Sequence, residues 1–250
     1  MNSQAVSGFP TIRTVGLTGM IVTFADALDE ASNRATLSFR QRLEELDWAG
    51  VLETSTSLAS VYIRFDPHDL DHARLAARLK EQVEARDWYR EPLPPGRRFW
   101  RVPTVYGTDL APQLPEAADA AGLTEAQAIE CLGSSRVRVL TIGFAPGQPY
   151  LGQLGPEWDL PRQTELTPMV PRGALVLAIR QFVLFSSSTP TGWRHVGQTG
   201  FMLFRPEAET PFALRAGDEL QFEPVSRTDF LKLREDDAIM GGATCEEISA

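Results

Sequence analysis

Glu91-Pro-Leu-Pro-Pro-Gly96 is the stretch that decides how this chain is divided. Three prolines in four positions stiffen the backbone and withhold N–H donors from any sheet, so residues 91–97 read as a linker. Residues 11–90 then form one domain and 98–227 a second. Residues 1–10 are expected to be a flexible N-terminus, and 228–250 a C-terminal tail with one short helix around Phe230, Leu231 and Leu233.

Ahead of the linker, strands alternate with helices. Residues 11–15 and 20–24 read as a strand pair around Gly16 and Gly19. Asp29 is a suitable N-cap for a helix whose Ala35, Phe39, Leu43 and Leu46 make one apolar stripe, and Gly50 follows its end. Residues 51–54 and 60–65 are two further strands, the second alternating Val61, Ile63 and Phe65 against Tyr62 and Arg64. A second helix to about residue 85 buries Leu75, Leu79 and Val83. The order ββαββα implies an α+β sandwich, a loose variant of the ferredoxin-like kind.

Beyond the linker the character changes. Residues 99–106 form a strand interrupted by Pro103, and Thr124-Glu-Ala-Gln127 is a capping box for a short helix. Strands are then expected at 136–144, 174–179, 182–186, 201–204 and 219–225, separated by loops rich in Gly and Pro. This is the pattern of a β-barrel or sandwich.

With 250 residues, 43% of them hydrophobic, the chain can build real cores, which excludes a disordered or fibrous protein. A formal charge of −9 repels phosphate backbones, so nucleic acid is not an expected partner. Lys80 and Lys232 are the only lysines, and neither has the setting of a nucleophile or a biotin carrier. Cys131 and Cys245 cannot make a four-ligand zinc site and read as reduced thiols of a cytoplasmic protein. No run approaches the roughly 18 to 20 apolar residues that cross a bilayer, so no membrane association is expected.

The motifs of several chemistries are missing. His68 and His72 have metal-ligand spacing, but Asp66-Pro67 is a turn signal and Asp71 a better N-cap for the helix that follows, so no metal site is expected. GxxxxGK[ST], GxGxxG and GxSxG do not occur. His195 has no acidic residue close in sequence and reads as a partly exposed strand or loop residue. Two segments stand out instead. In residues 143–152, GFAPGQPYLG, a strand ends in a loop of glycines and prolines beside Tyr150. In residues 181–193, an apolar strand delivers four consecutive hydroxyl side chains to a Pro-Thr-Gly turn ending in Trp193, with Gly197-Gln-Thr199 after it. Bent main chain and uncharged hydroxyls and amides suit a polar ligand, and equally suit an elaborate barrel turn.

The runs GFAPGQPYLGQL (143–154), PRQTELTPMVPRGAL (161–175), STPTGW (188–193), GQT (197–199) and RAGDELQF (215–222) follow one another in an order that resembles subunit 1 of the allophanate hydrolase/5-oxoprolinase group, the PxpB/KipI proteins, with their carboxyltransferase-type subdomains. TIRTVG, VYIRFDP and RVPTVYG fit the same family more loosely. The resemblance implies a C-terminal cyclophilin-like β-barrel after the α+β domain. It also implies a subunit that is inactive alone and joins a sister subunit of the allophanate hydrolase subunit 2 or PxpC type, with a third, PxpA-type component. The complex would open a small amide or lactam with ATP. Related readings are a carboxyltransferase subunit of a urea carboxylase-like enzyme, or an inhibitor of a sensor histidine kinase like KipI. The pocket residues carried over are Gly143, Phe144, Pro146, Gly147, Tyr150, Gln181, Ser186, Ser188, Pro190, Gly192, Trp193, Gln198 and Thr199. In them, loop N–H groups would face hydroxyls across an amide carbonyl. The chain departs from the family pattern at Leu132, usually His, at Gln148, usually Phe, and at Met169, usually Arg. Val176, Ala178, Ile179, Phe182 and Val183 fill a strand that is usually glycine-rich, which implies a narrowed or reshaped pocket.

Overall fold

The computed structural model describes residues 8–248. Residues 1–7 of the expected flexible N-terminus, and residues 249 and 250, lie outside them. The chain divides into two compact units, one up to Pro95 and one from Gly96. It is a mixed α+β protein with a small separate sheet and a closed barrel.

In the first unit β1 (Thr11–Val15), β2 (Gly19–Thr23), α1 (Glu30–Leu46), β3 (Val51–Thr56), β4 (Ser60–Phe65) and α2 (His72–Glu84) follow in order. The sheet order is β1-β2-β4-β3, antiparallel throughout. This connectivity keeps both hairpins local and differs from the βαββαβ order of the ferredoxin-like arrangement. Met20 lies opposite Ile63 and Val22 opposite Val61. Their period-2 face is covered by Ala35, Phe39 and Leu43 of α1 and by Leu75 and Leu79 of α2, giving one core. Asp29 caps α1, accepting from the Ser32 N–H at 2.8 Å, and Asp71 caps α2, accepting from the Arg74 N–H at 2.8 Å. His72 therefore opens α2, its ring edge-on to Phe65.

The second unit contains β5 (Arg98–Tyr106), α3 (Leu114–Ala120), α4 (Glu125–Ser134), β6 (Arg136–Ile142), β7 (Pro149–Gly152), β8 (Thr167–Val170), β9 (Ala174–Ala178), β10 (Gln181–Leu184), β11 (Thr189–Thr191), β12 (Arg194–Thr199), β13 (Glu219–Pro224), α5 (Arg227–Asp236) and β14 (Thr244–Glu247). Seven strands run β12-β9-β10-β7-β6-β13-β5, and β5 pairs back onto β12, which closes the ring. It is consistent with the cyclophilin-like barrel that the resemblance implies. The part of the chain read as a tail carries α5 and then β14, which extends the sheet antiparallel to the first half of β5.

Residues 201–204, expected as a strand, make only an isolated bridge between Phe204 and Phe212. Gly200 lets the chain pass against Gly241, where a Cβ would stand 3.0 Å from the Gly241 Cα. Phe201 and Leu203 then enter the core from a loop whose Met202 N–H donates to the Ile239 carbonyl.

All residues of β9 and β10 are buried. Leu175, Leu177, Phe182 and Leu184 fill the barrel, while Ala174, Val176, Ala178, Val183 and Phe185 form a second apolar cluster with Val170 and Trp193. The two clusters are the two faces of one hairpin, and the second is the outer one. The substituted positions therefore divide. Phe182 fills the barrel rather than any outer pocket, whereas Val176, Ala178 and Val183 pack outside it.

Ile179 and Arg180 make the two-residue turn between β9 and β10, with φ of 45° and 60°. A primed turn suits hairpin twist, but a β-branched residue in the left-handed region is strained. Ile179 is also 41% exposed, so little packing compensates. Ile179→Asn is expected to raise stability by about 1 kcal/mol, read as a shift of the urea midpoint, because asparagine tolerates this conformation.

Candidate functional site

A cavity of about 290 Å³ lies against the outer face of the β7–β10 pair. β7 contributes Tyr150 and β10 contributes Val183; Phe185 lies just beyond β10. The loop before β7 contributes Phe144 and Gln148, β11 and the turn after it contribute Pro190, Thr191, Gly192 and Trp193, and the irregular segment before β8 contributes Arg162, Gln163 and Leu166. The size suits a small molecule rather than a nucleotide-sized one.

The cavity wall is assembled by hydrogen bonds that the sequence does not announce. Gln163 donates its backbone N–H to the Gly192 carbonyl at 2.7 Å and its Nε2 to the Trp193 carbonyl at 3.1 Å. Its Oε1 accepts from Gln113 Nε2 at 2.7 Å, and Gln113 Oε1 in turn accepts from the His195 N–H at 2.8 Å. Gly192 permits the approach, since a Cβ there would meet the Gln163 carbonyl at 3.3 Å. This clamp brings the neighbouring Arg162 over the Trp193 ring, 5.2 Å from its centroid. Tyr150 meets Trp193 edge to face at 6.2 Å. Arg162 makes no ion pair or hydrogen bond among the described residues and is exposed.

Phe144, Tyr150, Pro190, Gly192 and Trp193 of the expected pocket residues line this cavity. The others do not. Gly143 and Gln148 close the loop on itself, the Gly143 N–H donating to the Gln148 carbonyl at 3.0 Å and the Gln148 N–H to the Ala145 carbonyl at 3.1 Å. Those two N–H groups are thus spent inside the turn. Pro146 is exposed, and Gly147, at φ 71°, packs under Leu203, whose carbonyl would stand 3.1 Å from a Cβ. Phe144 sits at the mouth, 80% exposed with φ 71°.

Gln181 is paired with Gly152 and Ala178. Ser186 Oγ is buried without a hydrogen-bond partner among the described residues, and Ser188 Oγ accepts from the Arg172 N–H at 3.3 Å. Gln198 Nε2 donates to the carbonyls of Arg172 and Thr199, both at 3.0 Å, and Thr199 Oγ1 accepts from the Phe201 N–H at 3.4 Å. These last residues brace Gly173, which at φ 81° lies so close that a Cβ would meet the Thr199 carbonyl at 2.4 Å. His195, expected to be partly exposed, is buried in β12 because it lies opposite Val176 at the edge of the outer cluster. Burial pushes its imidazole pKa below the ordinary value, which leaves it neutral at pH 7.

Arg162, Gln163, Leu166 and Gln148 were not among the expected pocket residues. The first three lie in the PRQTELTPMVPRGAL run and Gln148 in GFAPGQPYLGQL. Neither run carries a periodicity or spacing that separates pocket from scaffold. Among the described residues no three His, Cys, Asp or Glu side chains cluster as metal ligands, and no helix is long and apolar enough to cross a membrane.

Comparison with known proteins places this geometry in a family. The carboxyltransferase domain, subdomain C and D, matches residues 10–214. The B-type subunit of 5-oxoprolinase from Bacillus subtilis (strain 168) is 28% identical over 233 residues, 90% of this chain and 97% of that protein. Its counterpart in Escherichia coli O157:H7 is 32% identical over 213 residues, 84% and 94% of the two chains. Among solved structures, TTHA0988 superposes with a TM-score of 0.70 at 28% identity over 86% of this chain, which spans 40% of that larger one. The Kluyveromyces lactis urea amidolyase, at 18% identity and a TM-score of 0.74, shares the fold over 95% of this chain and 16% of its own length. The chain belongs to the carboxyltransferase subdomain C and D family, the one that includes the B-type subunits of 5-oxoprolinase.

Proposed function

We propose that the chain is a subunit of an ATP-dependent hydrolase that opens a small cyclic amide, of the 5-oxoprolinase type, and that it is inactive without its sister subunit. The observation that carries this reading is the likeness to the B-type subunit of 5-oxoprolinase, which runs along 90% of this chain and 97% of the Bacillus subtilis protein. The cavity is in keeping with it. Its polar side chains are the Gln148 and Gln163 amides, the Arg162 guanidinium and the Tyr150 and Thr191 hydroxyls, which can hold a planar amide in place by hydrogen bonds.

The division of labour follows from the likeness. ATP acts at the level of the complex, as the resemblance to 5-oxoprolinase subunits implies. The partners are a PxpC-type sister subunit and a PxpA-type third component, in the cytoplasm, where Cys131 and Cys245 stay reduced. This chain's share is to position the substrate and exclude water from one side of it.

Co-expression with the sister and third subunits is expected to give a complex that consumes ATP only when 5-oxoproline is added. Turnover that instead requires bicarbonate and a biotinylated protein would point to a carboxyltransferase. Turnover by this chain alone would contradict the reading.

A further inference from the structure

Gln148 is 1% exposed, and its Oε1 has no hydrogen-bond partner among the described residues. Its backbone N–H and carbonyl are already committed to the loop, and its side chain lines the cavity. A buried amide without a partner costs about 1–3 kcal/mol, so a side chain kept this way is matched to something that enters. On the same wall, Arg162 presents an exposed guanidinium that is held over Trp193 and engaged by no carboxylate among the described residues. An acceptor and a fixed cation facing one cavity form a two-point polar reader, with Tyr150 and Trp193 supplying flat apolar walls between them.

We infer that this cavity selects a small planar amide bearing both a free N–H and an anionic group, with Gln148 accepting from the N–H and Arg162 holding the anion. The inference rests on the amide-hydrolase reading for the ring chemistry and assigns the selectivity to two named side chains. Phenylalanine at position 148 would remove the acceptor. The anion contact is a partly exposed one and weakens with salt.

The test is direct binding to the purified full-length chain, by calorimetry or ligand-observed NMR, with three probes: 5-oxoproline, its N-methyl derivative, and 2-pyrrolidinone, which lacks the carboxylate. The wild-type chain is expected to prefer 5-oxoproline over each of the other two by about tenfold or more. Arg162→Ala should erase the preference over 2-pyrrolidinone and keep that over the N-methyl compound. Gln148→Met, close in volume, and Gln148→Phe should do the reverse. Absence of binding to the wild-type chain, equal binding of the three probes, or variants that leave both preferences intact would overturn the inference. The two readings fail separately. A complex that consumes ATP with 5-oxoproline while these preferences are missing retains the hydrolase assignment and loses this one. Preferences as expected without ATP consumption do the opposite.

Discussion

Replacing Asp218 by alanine is expected to destabilise the barrel unit by about 3–5 kcal/mol, the effect of breaking a buried ion pair from one side. Asp218 is fully buried within the RAGDELQF run. Its carboxylate accepts from the Arg98 backbone N–H at 3.1 Å, from Arg98 Nε at 3.2 Å and Nη2, and from the Arg215 N–H at 3.1 Å. Its own carbonyl accepts from the Val139 N–H at 2.7 Å. One side chain thus ties the start of β5 to the loop before β13, where the barrel's two distant chain segments meet. Alanine would leave a guanidinium and two N–H groups without their acceptor, a large share of the about 5–15 kcal/mol that holds a domain folded. Asp218→Asn keeps the shape and one acceptor oxygen and should cost less. Urea unfolding of the three proteins gives the comparison; equal midpoints for wild type and alanine variant would show that the pair contributes nothing.

Phe182→Ala is expected to cost about 3–5 kcal/mol for a different reason. Phe182 has no exposed surface, fills the barrel between β7 and β9, and meets Phe222 edge to face at 5.5 Å. Its removal leaves a hole that a closed ring of seven strands cannot collapse around. The resemblance implies a glycine-rich strand at this position, so the result also decides what the phenylalanine is for. A loss of stability with unchanged ligand preferences places Phe182 in the scaffold. Altered preferences with unchanged stability would place it at the cavity.

The first unit was legible because its signals are local. Asp29 and Asp71 announce α1 and α2 by capping them, and Val61, Ile63 and Phe65 announce β4 by alternation. In the second unit the expected strands near β5, β6, β9, β10 and β13 are present because their apolar runs are long enough to stand out. β7 was read as loop because Pro149 and Gly152 bound it in only four residues, and it becomes a strand by pairing with β6 and β10. β12 contains His195, Gly197 and Gln198, which are poor strand formers, and is held by β9 and β5 on its two sides. The β5–β13 pair is parallel, with Phe99 opposite Glu219, a pairing no local pattern can encode.

The cavity was legible where glycine, proline and aromatic residues coincide, as at Tyr150 and in the Pro190-Thr-Gly-Trp193 turn. It was not legible at Arg162 and Gln163, ordinary polar residues on irregular chain. Only the Gln113–Gln163–Trp193 hydrogen bonds make them part of a wall. Serine and threonine residues that looked available to a ligand, Ser188 and Thr199 among them, turned out to satisfy nearby backbone.

The most direct measurement is 5-oxoproline-dependent ATP hydrolysis by the co-purified complex, comparing this chain with its Tyr150→Ala/Trp193→Ala double variant. The two rings form the flat walls of the cavity, and loss of substrate positioning costs about a hundredfold in rate. The prediction is full dependence on 5-oxoproline for the unaltered chain and a drop of about that size for the variant. A double variant that remains folded, remains bound to its partners and turns over at the original rate would contradict the assignment of this cavity to the substrate.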